Sequence, residues 1–514
     1  MDLRAVGLAL CVAACGDNQV APDAPARDAL ADAAPFVTTV HGTIVQLATE
    51  NGSDGQPVGV SGPPDPAATH LSARLDDGST QTVLLSTEGA FDIGLYAVGQ
   101  AYRLTVAVDG QPLKDFASSA PTLALALFGA GRSPRAPVTS EVVVKAVFDN
   151  WVDGDTAILD STGLWTSTAA QFVTAPLAGN TEPWAFQWTW STVHELSGPP
   201  GLIDAAAHDA LQVTAWRPHT SPAYTSMIGA LVHTDVTMVP GHETRFGADN
   251  APIQIPALPP RCLHVVAPRA TELARVASAL PDTYAGSQDA WELAVPAGDG
   301  IGPTAALLVA SGSETGAGSD ADLIASFGNP FGGAALLLST SARWFRDVHA
   351  TAGDNPRRLA VGTQTWAVVA APADCAARPA TATVAPSVAI PSVASLNGGA
   401  LDHDFQTELA ADGEVSITWT DAAPGVADDY VALLVEVADV NGQTTLTTID
   451  GVFTTAHAAS FDGRLFVAGH SYLIEIVAQQ GVPNAGNGDF RTLAYPFADA
   501  TSVSHLITAR PSTL

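Results

Sequence analysis

The chain holds 514 residues, 47% of them hydrophobic and only 14% charged, with 45 glycines and 36 prolines. At roughly 150 residues per domain that length allows three or four cores. Turn formers outweigh charge, so the composition predicts short strands joined by turns: an all-β chain of several β-sandwich domains in tandem with at most one or two short helices. The formal net charge of −31, with Lys114 and Lys145 the only lysines, repels phosphate backbones and argues against nucleic acid as a partner. Solubility outside a cell accounts for the same acidity without any electrostatic function.

The first element is the apolar run 5–14, too short to span a bilayer but suited to the apolar region of an export signal. It ends in Val12-Ala13-Ala14-Cys15. Small residues followed by Cys resemble the lipobox of bacterial lipoproteins. That resemblance implies that residues 1–15 form a lipoprotein signal, that Cys15 is lipidated and becomes the new N-terminus, and that the lipid is the chain's only membrane contact. Gly16, not Asp, follows the Cys. The family's inner-membrane retention signal is therefore absent, which implies the outer membrane or cell surface. The alternative is an ordinary secretory signal in which Cys11 and Cys15 are merely apolar-region residues. Residues 16–36, mostly Ala, Pro and Asp, cannot bury enough surface to offset their ordering entropy and read as a flexible tether.

Residues 37–128 read as strands and turns. In the strand from Tyr102, period-2 alternation places Tyr102, Leu104, Val106 and Val108 on one face and Arg103 and Thr105 on the other. A Gly-containing strand at His41-Gly42-Thr43, the turn Gly55-Gln56-Pro57-Val58, the turn Thr87-Glu88-Gly89-Ala90-Phe91 and the Tyr102 strand together resemble the carboxypeptidase regulatory-like β-sandwich. That family implies an accessory module without catalytic residues. A Gly-, Pro- and Arg-rich linker, 129–137, follows.

A second sandwich is expected over 138–258, with strands at 142–148, 211–216 and 227–237. Within it lies Trp184-Ala185-Phe186-Gln187-Trp188-Thr189-Trp190. Strand periodicity puts Trp184, Phe186, Trp188 and Trp190 on one face. Two readings stay open: an exposed platform whose flat rings stack on sugars, making Trp184, Trp188 and Trp190 ligand-binding candidates, or a stripe that fills a sheet-on-sheet core.

Residues 259–377 form a further β-rich unit, with strands at 291–295, 305–310, 322–327, 335–339 and 365–370. Between Arg269 and Leu280, the positions Leu273, Val276, Ala277 and Leu280 follow helical spacing and Pro281 would stop the run, which predicts one short helix. Once Cys11 leaves and Cys15 carries lipid, Cys262 and Cys375 remain of the four cysteines. In an oxidising compartment they pair as a disulfide that clasps this unit; two buried thiols are the alternative. The turns Asp153-Gly154-Asp155 and Gly328-Asn329-Pro330-Phe331 look like those of uncharacterised exported bacterial lipoproteins. Residues 376–394, rich in Ala, Pro, Thr and Val, read as a linker.

The last unit, 395–510, opens with Val415-Ser416-Ile417-Thr418-Trp419, continues from Tyr430 and returns in Tyr472-Leu473-Ile474-Glu475-Ile476-Val477-Ala478. A Trp ending an early strand and a late Tyr-led strand resemble the fibronectin type III sandwich. In that family Trp419 would be core and Tyr472 a brace.

Chemistry is sparse. The chain has no Gly-x-Ser-x-Gly elbow, phosphate loop, His-Glu-x-x-His or dinucleotide fingerprint. Its 13 histidines are scattered. His233 with Asp235, His242 with Glu243, and Asp402-His403-Asp404 offer too few ligands for zinc, and Asp149, Asp153 and Asp155 lack the full spacing of a calcium loop. No cofactor and no metal are expected. The sequence favours a lipid-anchored, non-catalytic binding or scaffold protein of a bacterial envelope, with polysaccharide or an envelope protein as partner; a secreted glycan hydrolase and a structural spacer are the alternatives.

Overall fold

The computed structural model describes residues 36–510 except 110, 129–138, 162–165, 170, 173–183, 192–201, 248–251, 281–283, 285, 297–305, 316–319, 352, 385–387, 402–404, 409–412 and 424. Cys15 and the tether up to residue 35 lie outside the described residues. Among the described residues strands dominate, with one α-helix, Arg269–Ala279, and three one-turn 3-10 segments. The protein is all-β. Eighteen strands are hydrogen-bonded into one branched sheet, and four smaller sheets accompany it. Each small sheet closes a sandwich against part of the large one.

In the first sandwich Thr38–Asn51 pairs antiparallel with Pro57–Gly62 and Ala90–Leu95 and parallel with Thr122–Phe128. Thr69–Leu75, Tyr102–Val108 and Leu113–Ser118 form the facing layer. Alternation decides what lies between them: Val40, Ile44, Leu71, Phe91, Ile93, Leu104, Val106 and Phe116 make the core. Tyr102, Leu104 and Val106 are buried, whereas Val108 at the strand end is half-buried. Gly42 lies beneath the Phe91 ring, so close that a Cβ there would meet Phe91 Cζ at 2.0 Å.

In the second, Thr139–Phe148 pairs with Trp184–Ser191 on one side and in parallel with Glu243–Phe246 and Ile253–Ile255 on the other. It faces Thr156–Ser161, Leu211–Thr220 and Ala223–His233 across Val142, Val144, Leu159 and Val213. In the third, Pro260–Ala267 pairs with Ala321–Gly328 and Thr381–Thr383. It faces Gly286–Pro296, Ala306–Thr315, Leu336–Val348 and Arg357–Val369 across Val265, Trp291, Leu293, Phe327 and Leu338. The helix Arg269–Ala279 buries Leu273, Val276 and Ala279 along one stripe and packs on Leu336–Val348. Arg269 at its start pairs with Asp289 at 2.7 Å, both side chains out of solvent.

In the fourth, Ile390–Leu396, Glu414–Ala423 and Ala458–Asp462 cover Asp429–Val440, Gln443–Thr454 and Ser471–Gln480 across Ile417, Trp419, Leu434, Phe461 and Ile474. Trp419 is 2% exposed. Tyr472, wholly buried, accepts the Val467 N–H at its hydroxyl at 2.7 Å, a brace between the strand and the turn before it. The stretch 376–394, read from sequence as a linker, supplies the Thr381–Thr383 strand and the start of Ile390–Leu396.

The sandwiches are joined edge to edge. Ala223–His233 pairs with Ala306–Thr315, Arg357–Val369 pairs antiparallel with Phe497–Val503, and Leu113–Ser118 pairs in parallel with Gln443–Thr454. These ladders join segments up to more than three hundred residues apart in sequence.

Candidate functional site

The joined strands bring charged side chains together on one face of the large sheet. Directly opposed residues on antiparallel strands project to the same side. Gln364 stands opposite Asp499, and Gly362 stands opposite both Arg343 and Thr501. Gly362 adopts φ +151°, and a Cβ there would meet the Ala342 carbonyl oxygen at 2.0 Å. Only glycine fits beside Arg343, whose Nη2 donates to Gln364 Oε1 at 2.5 Å. Glu292 and Glu475, on the same face, add two more carboxyl groups.

Arg343, Glu292, Glu475 and Asp499 are each half-buried. Further along the same strands Leu337, Trp366 and Phe497 join the core of the first sandwich, and Pro57–Gly62 of that sandwich lies against Gly286–Pro296. The polar row therefore flanks the seam where the first sandwich docks.

Burial governs its electrostatics. It pushes Asp499 up to about 7, opposed by the Arg343 guanidinium. It pushes Glu475 up to about 7, reinforced by the Asp499 carboxylate. Burial also lowers Arg343 below the usual guanidinium range, opposed by Asp499 and Glu292. Among the described residues no hydrogen bond offsets the burial at Glu475 or Asp499. Chemically, these are two carboxyl groups raised into the neutral range beside a guanidinium, with Glu475 opposite Val503 and Asp499 opposite Gln479 on the paired strands. Sequence reading did not single these residues out, although each is a charged residue set in a β-rich strand, the signal that marks them.

Of the residues that sequence did single out, Trp184, Trp188 and Trp190 lie on the strand Trp184–Ser191. That strand runs between Gln171–Phe172 and Thr139–Phe148, with Trp184 opposite Ala146, Trp188 opposite Val142 and Trp190 opposite Ser140. The side chains of this strand lie outside the described residues. Cys262 and Cys375 are joined by a disulfide with Cα atoms 4.8 Å apart, made near by the pairing of Cys262 with Ala373 in adjacent strands.

The scattered candidates for metal are occupied elsewhere. His233 lies 3.9 Å from Asp235, its ring is tilted against Phe246 at 5.0 Å, and burial lowers its pKa. Glu243 pairs with Arg245. Asp149 accepts from Gln254 at 2.5 Å. Asp155 binds Arg217 through Nε at 3.0 Å and Nη2 at 2.8 Å and accepts the Val152 N–H at 2.9 Å. Among the described residues no three potential ligands converge; Asp402, His403 and Asp404 lie outside them.

No protein family matches the chain, and no curated protein does. Among solved structures it is similar to the FN1–FN3 domains of chicken CNTN1, at 8% identity over 69% of this chain and 90% of that one, with a TM-score of 0.13. It is also similar to a tetra-tandem repeat in the extending region of a large adhesion protein, at 13% identity over 90% of this chain and 99% of that one, with a TM-score of 0.11. Overlaps at these TM-scores carry no argument about function.

Proposed function

We propose that the chain is an exported, lipid-anchored protein of a bacterial outer membrane or cell surface that serves as a non-catalytic scaffold or binding module, with polysaccharide or another envelope protein as its partner. The observation that carries this reading is the edge-to-edge strand pairing, which joins the sandwiches into one β framework. The Cys262–Cys375 bond supports export, because structural disulfides persist in oxidising compartments. Among the described residues no helix is long and apolar enough to cross a membrane.

Anchoring is tested by the mass of the membrane-bound chain. A mature form starting at diacylated Cys15, and release of a Cys15→Ser variant into the soluble fraction, support it; an unmodified Cys15 or a mature start elsewhere overturns it. Binding through Trp184, Trp188 and Trp190 is tested by tryptophan fluorescence against a panel of envelope polysaccharides. A saturable shift lost in a folded Trp188→Ala variant supports the platform. No shift, with unfolding of Trp188→Ala, assigns the stripe to packing and directs the search to protein partners.

A glycan hydrolase is the second reading, favoured by the Glu475–Asp499 pair, whose near-neutral titration suits acid–base work. Release of reducing ends by the native chain that Glu475→Gln and Asp499→Asn both abolish would support it. No release from any glycan of the panel removes it.

A further inference from the structure

The seam between the first and fourth sandwiches holds two buried acids against one base. Asp115, on Leu113–Ser118, and Asp450, on Gln443–Thr454, are 3% and 1% exposed. Their strands pair in parallel, with Asp450 opposite Leu113 and Val452 opposite Asp115, so the two carboxyl groups fall two positions apart along one seam. Among the described residues Arg103, from Tyr102–Val108, is the one base between them. Its Nε donates to Asp115 Oδ2 at 2.7 Å, its Nη2 also binds Asp115 Oδ2 and reaches Asp450 Oδ2 at 3.3 Å, and its Nη1 donates to the Ser460 carbonyl of the fourth sandwich. Asp450 Oδ1 accepts its neighbour Gly451 N–H at 2.8 Å. Asp115 Oδ1 is buried and has no donor among the described residues.

The other strands at the seam do not restore the balance. Lys114 points off the opposite side of its strand by alternation. Leu434 is the residue of Asp429–Val440 opposite Asp450. Asp462 is held by Arg464, and Arg74 of Thr69–Leu75 is paired with Glu414 at 2.8 Å. Arg357–Val369 also touches Gln443–Thr454, but Arg357 and Arg358 lie at its start, toward the Gln443 end, where Asn355 bridges to Gln443.

Two ionised carboxylates and one guanidinium leave a net negative charge buried in a low-dielectric seam, which is costly. A proton on Asp450 removes it and supplies the donor that Asp115 Oδ1 lacks. We infer that Asp115, Asp450 and Arg103 form a proton-operated latch: the first sandwich is held tightly on the fourth while the acid pair carries a proton, and the seam loosens when that proton leaves. Burial foremost, and then the Asp115 carboxylate, push Asp450 up to about 7, with Arg103 pulling the other way, so the change falls in the neutral range.

Hydrogen exchange of the full chain, corrected for intrinsic exchange, tests it between pH 5.5 and 8.5. An acid titrating near 7 when docked and near 4 when released predicts about a 30-fold loss of protection in Leu113–Ser118 and Gln443–Thr454 over that range. Asp450→Asn should hold the protection level at both pH values, and Glu475→Gln should leave the loss in place. Seam protection that is unchanged with pH in the native chain, or a loss that persists in Asp450→Asn, overturns the latch. If Asp450→Asn fails to fold, Asp115→Asn should shrink the loss, since it removes the repelling charge while the burial of Asp450 remains, and a loss undiminished in that variant overturns the latch.

Discussion

Asp450, Glu475 and Asp499 set the pH response at the scale of single residues. A carboxyl raised from about 4 to about 7 by folding means that the folded chain binds more protons than the unfolded chain between those values. Stability therefore falls as pH rises through that window and levels off above 7. Asp354 and Asp462 act in the opposite sense. Asp354, held low chiefly by the Thr444 hydroxyl, and Asp462, held low chiefly by Arg464, contribute stability that is lost as pH drops below about 4. The thermal midpoint should thus peak at mildly acidic pH and be lower at pH 8 than at pH 5. Glu475→Gln combined with Asp499→Asn should flatten that decline, and a midpoint that rises steadily from pH 5 to pH 8 would contradict it. Packing gives a second expectation. Because a Cβ at Gly42 collides with the Phe91 ring, Gly42→Val should destabilise by about 1–3 kcal/mol in denaturant titration, whereas Gly78→Val, open to space but at φ +83°, should perturb only its own turn. Single charged residues inside strands were visible in the sequence. Which of them meet was not, because that depends on register between strands far apart in the chain.

Local patterning carries furthest at the scale of elements. The alternation of Tyr102, Leu104 and Val106 fixes a strand with those residues buried, and the Leu273, Val276 spacing ahead of Pro281 marks the helix Arg269–Ala279. The hairpin of Leu336–Val348 and Arg357–Val369 runs well beyond the apolar cores at 335–339 and 365–370. Its outer halves carry Arg343, Arg346 and Arg358, whose polarity masks the period-2 signal. The stretch 376–394 was legible only as low in charge and rich in Pro; its short strand forms because Thr381–Thr383 finds a partner in Pro260–Ala267, a tertiary contact without a local signature. The disulfide bridges a sequence separation of 113. In the chain-entropy model, opening so long a loop costs about 4–5 kcal/mol. A Cys262→Ser, Cys375→Ser double variant should lose about that much in denaturant titration, and a loss under about 1 kcal/mol would show that the unfolded chain gains little freedom when the bond is absent.

At the scale of the whole molecule, the all-β class followed from composition, while the joining of the sandwiches did not. Pairings such as Gly362 with Thr501 and Val452 with Asp115 link distant segments through backbone groups that every residue shares, so side-chain patterns hold no trace of them. Phe116 secures one joint, stacking on Phe453 at 4.7 Å and meeting Phe490 at 5.8 Å. Phe116→Ala should cost about 3–5 kcal/mol and raise proteolysis at the seam; a variant as resistant as the native chain would place the joint elsewhere.

The sandwiches form one joined framework rather than independent units on a string. Differential scanning calorimetry of the disulfide-intact chain addresses it most directly. A joined framework predicts one dominant endotherm whose calorimetric and van't Hoff enthalpies agree, and separate transitions, of which Phe116→Ala moves only one, would contradict it.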